Sequence, residues 1–254
     1  MGDETGGCDS PPTTNDTLFA GALRCRQHRR GYRFSVDAVL AAHFHRPAPG
    51  ETVLDLGAGC GIIALIVMYR WGELLERVDA LEYQPQLCRL IEENFRQNDF
   101  LPRCRCLQGD VKDILASVGA ESYSTVICNP PYYKENSGRK SVNTECLIAR
   151  HQIAATIDDF IGAASLAVKN RGVVVFIYPA SLLASLCASL ERHHLEIKRL
   201  QCIYSYPQRS VTARLVRLEC VKNGGPGAEI LAPLYIYEAV NGPFSSQMQR
   251  LYAP

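Results

Sequence analysis

Four consecutive residues, Asn129-Pro130-Pro131-Tyr132, combine groups that can hold and activate a planar amine. They follow the apolar run Thr125-Val-Ile-Cys128, at what should be the carboxyl edge of a parallel sheet, where open α/β folds bind ligands. Two prolines remove two N–H donors and freeze φ, leaving the Asn129 side-chain oxygen and the Pro130 carbonyl as rigid acceptors. Two fixed acceptors can hold an NH₂ group. An exocyclic amine or amide is a poor nucleophile because its lone pair is delocalised; hydrogen bonds that favour a pyramidal nitrogen aim that pair at an electrophile without a strong base. Tyr132 adds an aromatic face on which a splayed base could stack, worth about 1–3 kcal/mol, with Tyr133 as a second ring. On this reading the ring face does the holding and the hydroxyl is dispensable. The motif does not name its nitrogen.

A second concentration of chemistry lies upstream, in Val53-Leu-Asp-Leu-Gly-Ala-Gly-Cys-Gly61. Gly57, Gly59 and Gly61 between a strand and a helix let backbone approach a ligand closely and turn helix N–H groups toward it. A dinucleotide fingerprint would need its third glycine at 62, which is Ile, and no Gly-Lys-Ser/Thr follows for a nucleotide P-loop. The pattern D-x-G-x-G-x-G, with Glu82 about 21 residues past the last glycine, resembles instead the S-adenosylmethionine loop of class I methyltransferases. That resemblance implies that the Glu82 carboxylate accepts from both ribose hydroxyls and that Asp55 meets the methionine ammonium directly or through water. It further implies that Asp110, beside Val111 after the third strand, accepts from the adenine amine.

These loops need a parallel sheet beneath them, and the pattern supplies one. Thr52–Leu56, Val78–Glu82, Arg103–Leu107, Thr125–Cys128 and Gly172–Tyr178 read as strands, alternating with helical stretches at 61–71, 84–97 and 157–169. After a further helix near 181–194, Leu195–Tyr204 and Val211–Val221 are joined by a connection too short for a right-handed crossover, so they pair antiparallel. The expected fold is α/β: a Rossmann-like, seven-stranded class I methyltransferase sheet, mostly parallel with an antiparallel C-terminal hairpin. Residues 1–17, rich in Gly, Pro, Thr and Asp, read as a disordered leader, and 18–254 as one methyltransferase domain.

Composition agrees with a folded domain: 47% of residues are hydrophobic, and 27 Lys plus Arg balance 26 Asp plus Glu. The longest apolar run, Ile62–Tyr69, is far short of the roughly 20 residues that span a bilayer, and no secretion signal is expected at the acidic N-terminus. Eleven cysteines without a C-x-x-C pair read as small buried hydrophobes of a reducing, cytoplasmic compartment, not as a metal site. Locally the charge is uneven. Arg24, Arg26, Arg29, Arg30 and Arg33 occur without an acid, and Arg192, Lys198, Arg199, Arg209, Arg214 and Arg217 stand against only Glu196. Arginine suits phosphate forks and base stacking, so Arg26, Arg29, Arg30, Arg33, Arg209 and Arg214 are candidates for nucleic-acid contact.

Three further stretches carry a closer resemblance: Gly31-Tyr-Arg-Phe-Ser-Val-Asp-Ala-Val-Leu40, Ala149-Arg-His151, and the tail from Pro233-Leu-Tyr-Ile-Tyr237 to Leu251-Tyr252. Together with Asn-Pro-Pro-Tyr, they resemble the adenine-N6 methyltransferases that modify valine tRNA at the adenosine immediately 3′ of the anticodon. The resemblance implies that Phe34, Ser35 and Asp37 close over the cofactor and that Asn129–Tyr132 hold the adenine. The sequence departs from that pattern at Ala58, Cys60 and Gln152. Other readings of the loop are a glutamine-amide methyltransferase acting on release factors, a DNA adenine methyltransferase, and an inactive fold that only binds RNA; guanine-N2 enzymes carry a close variant of it. Release-factor enzymes have an added N-terminal helical domain for which the residues before Gly31 are too few, and an intact Asn129 argues against an inactive fold.

Overall fold

The computed structural model describes residues 12–30, 33–132, 155–208 and 211–254. The expectations at Tyr133, Ala149–Gln152 and Arg209 lie outside those residues.

The main sheet is built from β3 (Thr52–Leu56), β4 (Arg77–Glu82), β5 (Cys104–Gln108), β6 (Tyr123–Cys128), β7 (Val168–Pro179), β8 (Leu195–Tyr204) and β9 (Leu215–Lys222). Their order is β5-β4-β3-β6-β7-β9-β8, parallel from β5 to β7, with β9 antiparallel to both β7 and β8. Two short strands, β10 (Glu229–Ile230) and β11 (Leu234–Tyr235), pair with β8, so nine strands make up the sheet where seven were expected. Every residue of β3 is buried, because helices cover both faces, as in parallel sheets generally. On one face lie α1 (Val36–Ala42), α2 (Ile62–Trp71) and α3 (Pro85–Gln97); the second apolar core, on the other face, takes in α4 (Ile114–Ser117), α5 (Ile157–Ala167) and α6 (Leu183–Arg192). A last helix, α7 (Ser246–Tyr252), packs with the first group. Among the described residues no helix is long and apolar enough to cross a membrane.

The leader expected through Thr17 needs correction. Thr13–Leu18 forms β1, antiparallel to β2 (Leu23–His28), in a separate two-stranded sheet. A lone hairpin is marginal in water, and this one is held by α3. Asn94 Oδ1 accepts from the Arg26 N–H (2.6 Å) and its Nδ2 donates to the Arg26 carbonyl (2.9 Å). One helical turn on, Asn98 does the same for Arg24, at 2.9 and 2.7 Å. Two asparagines four apart on a helix thus stand in for a third strand.

The second basic patch also resolves differently. Arg217 is buried, donates to the Leu40 carbonyl (2.9 Å) and Gln201 Oε1 (2.8 Å), and lies over the Phe44 ring. Burial, with Arg199 nearby, pushes its guanidinium down to about 10. Arg192 pairs with Asp158 and Arg199 with Glu219. Of the described basic residues there, Arg192 and Arg214 are exposed, Arg192 already in its ion pair with Asp158.

At the amino end of the sheet His45 sits 3.2 Å from Glu219 and 3.6 Å from Glu51. Burial alone would lower the imidazole, but the bonds to the two carboxylates outweigh it and raise it to about 9. A folded value above the unfolded one stabilises below about pH 6.5, and that contribution is lost as pH rises through about 9. The melting-temperature difference between wild type and His45→Asn should therefore be larger near about pH 6.5 than above about pH 9, by calorimetry. An equal difference at both would remove the imidazolium from this account.

Candidate active site

β3 is bonded to β4 on one side and β6 on the other, so the chain order reverses between β3 and β6, the place where open α/β sheets form a ligand crevice. Register sets the two loops level. Leu56 pairs with Cys128 and with Leu81, so Gly57 and Asn129 leave the sheet side by side, with Glu82 one residue beyond Leu81.

The glycine turn is left-handed at all three glycines: φ is +74° at Gly57, +59° at Gly59 and +80° at Gly61, which caps α2. The Gly57 and Ala58 N–H groups both donate to the Leu81 carbonyl at 2.9 Å, closing the turn on β4. Asp55 is fully buried at the end of β3; its Oδ2 accepts from the Ala64 N–H (3.1 Å), and its Oδ1 has no hydrogen-bond partner among the described residues. Burial pushes this carboxyl up to about 7, against the Ala64 bond and with help from the charge of Glu82. Glu82 accepts from the Gly59 N–H (2.9 Å) and the Gln84 N–H (3.0 Å), and burial holds it above the ordinary carboxylate range despite those donors. Asp110 caps the short turn Val111–Asp113 through the Lys112 N–H (2.9 Å), with Val111 buried beneath it.

Asn129 follows β6 directly, and its Oδ1 is buried without a partner among the described residues. Pro130 is buried, whereas Pro131 and Tyr132 are exposed. The Tyr132 ring meets Tyr178, at the end of β7, edge to face at 6.2 Å. Its hydroxyl, given no role by the motif, donates to Asp37 Oδ2 at 2.5 Å. Asp37 lies in the first turn of α1, 2% exposed, below the cap that Ser35 Oγ makes with the Asp37 N–H (3.3 Å). The Phe34 N–H donates to Gln27 Oε1 (3.1 Å), so β2 sets the approach to this turn. Tyr252 of α7 completes the surround; burial, with Tyr237 and Asp37 adding, pushes its phenol up to about 12.

Asn94 ties the hairpin to the glycine turn as well, since its Nδ2 also donates to the Cys60 carbonyl (2.9 Å). β2 runs back along α3 toward the carboxyl edge, with Arg24 and Arg26 outward and Arg29 and Arg30 exposed at its end. Arg26 and Arg33 are partly neutralised by Glu93 and Asp16. Arg214 precedes Leu215, which pairs with Pro179, so it lies at the same edge as Tyr178.

Strand order and paired loops define a class I methyltransferase fold. The family model Methyltransferase small domain matches residues 35–171, and the chain belongs to that family. A tRNA1(Val) (adenine(37)-N6)-methyltransferase of Aliivibrio salmonicida is 27% identical over 188 residues, 74% of this chain and 77% of the relative. One of the same name from Flavobacterium johnsoniae is 28% identical, covering 69% and 74%. A predicted O-methyltransferase from Agrobacterium tumefaciens shares the fold, with a TM-score of 0.68 at 21% identity over 85% of this chain and 95% of that one.

A methyl group on Gly57 would come within 2.8 Å of Phe160 Cε1, at a φ that L residues occupy at a cost of about 1–2 kcal/mol. Gly57→Ala should therefore destabilise by more than that strain in denaturant titrations. Adding Phe160→Leu should recover the part due to the ring; a purely additive double variant would show that the ring does not set the limit.

Proposed function

We propose that this chain is an S-adenosylmethionine-dependent adenine-N6 methyltransferase of the cytoplasm that modifies tRNA at the adenosine immediately 3′ of the anticodon. The observation that carries the reading is the Asn129 side-chain oxygen, buried, unpartnered among the described residues and level with a left-handed glycine turn. The curated relatives bear the name of that activity and span most of this chain.

The residues fit the cofactor on their own chemistry. Asp55 is a buried carboxylate with one oxygen unbonded among the described residues, which suits an ammonium, and Glu82 keeps lone pairs for ribose hydroxyls beyond its two backbone donors. Gly57, Gly59 and Gly61 let the backbone approach the cofactor, and Asp110 with Val111 takes the adenine end. Phe34 and Ser35 reach it from the turn that opens α1, whereas Asp37, expected to close over the cofactor with them, accepts from the Tyr132 hydroxyl at its Oδ2. When bound, the cofactor supplies an electrophilic methyl group on a sulfonium.

The chain's part is positioning. Asn129 Oδ1 and the Pro130 carbonyl accept from the target amine, favour a pyramidal nitrogen and direct its lone pair. Pro131 keeps the loop from folding back into a hydrogen-bonded turn, and Tyr132 stacks on the base. Holding amine and methyl in line can remove about 7–11 kcal/mol of barrier. A loop base outside a duplex is cheaper to extrude than a paired one. Arg26, Arg29, Arg30 and Arg33 on one side and Arg214 on the other are phosphate contacts of this reading, with Arg209 proposed from sequence alone.

Labelled S-adenosylmethionine with total RNA, total DNA or release factors tests the substrate class, and the tRNA reading is lost if label appears on glutamine or DNA alone. Glu82→Ala should weaken cofactor binding by about 1.5–3 kcal/mol in calorimetry; unchanged affinity in a folded variant would take Glu82 out of the site. Asn129→Ala should lower single-turnover transfer to an anticodon stem-loop by about 10²–10³ while RNA and cofactor affinity change far less. Near-wild-type transfer would defeat the amine mechanism.

A further inference from the structure

The geometry points to Asp37 as a positioning residue that fixes the target base by holding the Tyr132 ring through its hydroxyl. This rests on the adenine reading above and deepens it. Three observations meet at one ring. Tyr132 is 40% exposed, so packing alone does not fix it, and two torsions would let its plane swing. Asp37, by contrast, is 2% exposed on the first turn of a helix whose remaining residues, from Ala38 to Ala42, are all buried, so its carboxylate is as fixed as the core. The bond between them spans 95 residues of sequence, from the Tyr132 hydroxyl to Asp37 Oδ2.

The second restraint is Tyr178, buried at the end of β7, whose ring stands at 88° to that of Tyr132. A hydroxyl pinned at one end and an edge-to-face neighbour at the side define a plane. A base stacking on that ring takes its orientation from the plane, and its amine is thereby brought to the acceptors of Asn129 and Pro130. The ring supplies stacking area; because the hydroxyl lies on the axis about which the ring turns, the carboxylate fixes where the ring sits and the Tyr178 edge fixes its tilt. In water a phenol would lose little by exchanging this bond for a solvent one, but the buried Asp37 Oδ2 has no such exchange open to it, which makes the pair strongly directional.

The experiment is a double-mutant cycle on methyl transfer to an anticodon stem-loop, with wild type, Tyr132→Phe, Asp37→Ala, the double variant and Asp37→Asn. Tyr132→Phe and Asp37→Ala should each lower kcat/KM for the RNA by about ten- to a hundred-fold, with S-adenosylmethionine affinity within about two-fold of wild type. The double variant should be no worse than the poorer single one, and Asp37→Asn, which keeps an acceptor oxygen, should recover part of the loss. Losses that multiply in the double variant would overturn the assignment. So would Tyr132→Phe at wild-type rate, or an Asp37→Ala defect confined to cofactor affinity. A wild type that transfers nothing to the stem-loop removes the adenine reading and this assignment together, whereas an active wild type with multiplying losses removes the assignment alone.

Discussion

The placement of β3 between β4 and β6 is the constraint on which the rest depends. A right-handed crossover puts successive parallel strands on one side of their predecessor, so β3, β4 and β5 run outward in one direction, and β6 must start on the far side of β3. The loops after β3 and β6 then leave the sheet on either side of the point where the strand order reverses. Register does the fine adjustment: because Leu56 is level with Cys128, a buried carboxylate two residues before one loop and an amide at the head of the other come to a common edge. Burial on both faces of β3 keeps this register from slipping, since a shift by one residue would turn Asp55 to the opposite face.

Around that edge the chain recruits support from distant segments. α3 holds the basic hairpin with Asn94 and Asn98 and reaches the glycine turn through the Cys60 carbonyl. α1 holds the substrate loop through Asp37. In each case a side chain buried or half-buried on a helix satisfies groups that a loop or an edge strand would otherwise present to water. The rigidity of the site is borrowed from helices rather than generated by its own loops.

How much of this was legible in the sequence follows from the range of the interactions. The five parallel strands announce themselves through local apolar runs, and the glycine turn and Asn-Pro-Pro-Tyr through backbone chemistry contained in a few residues. β1 does not, because Thr13-Thr-Asn-Asp-Thr17 is polar and its partner β2 is held by asparagines about 70 residues further along the chain. Arg217 reads in sequence as a surface cation, since nothing near it foretells the Leu40 carbonyl, Gln201 and Phe44 that receive it. The Tyr132 hydroxyl carries no local signal for the same reason: its partner lies in a distant segment, the first turn of α1. The alternation of Arg24 and Arg26 with buried Leu23 and Cys25 was a usable strand signal, obscured by the density of charge.

β8 would end the sheet with a ten-residue row of open backbone groups, the kind of border onto which another chain can add a strand. The segment after β9 returns to cover it. The Leu231, Ile236 and Tyr237 N–H groups donate to the carbonyls of Leu200, Tyr204 and Ser205, at 2.8, 2.9 and 2.8 Å. Two strands of two residues each are too short to template anything themselves, yet they occupy the acceptors that a stranger would need. The tail of the chain thus acts as a selvedge, finishing the cloth so that neighbouring molecules cannot be woven into it at high concentration.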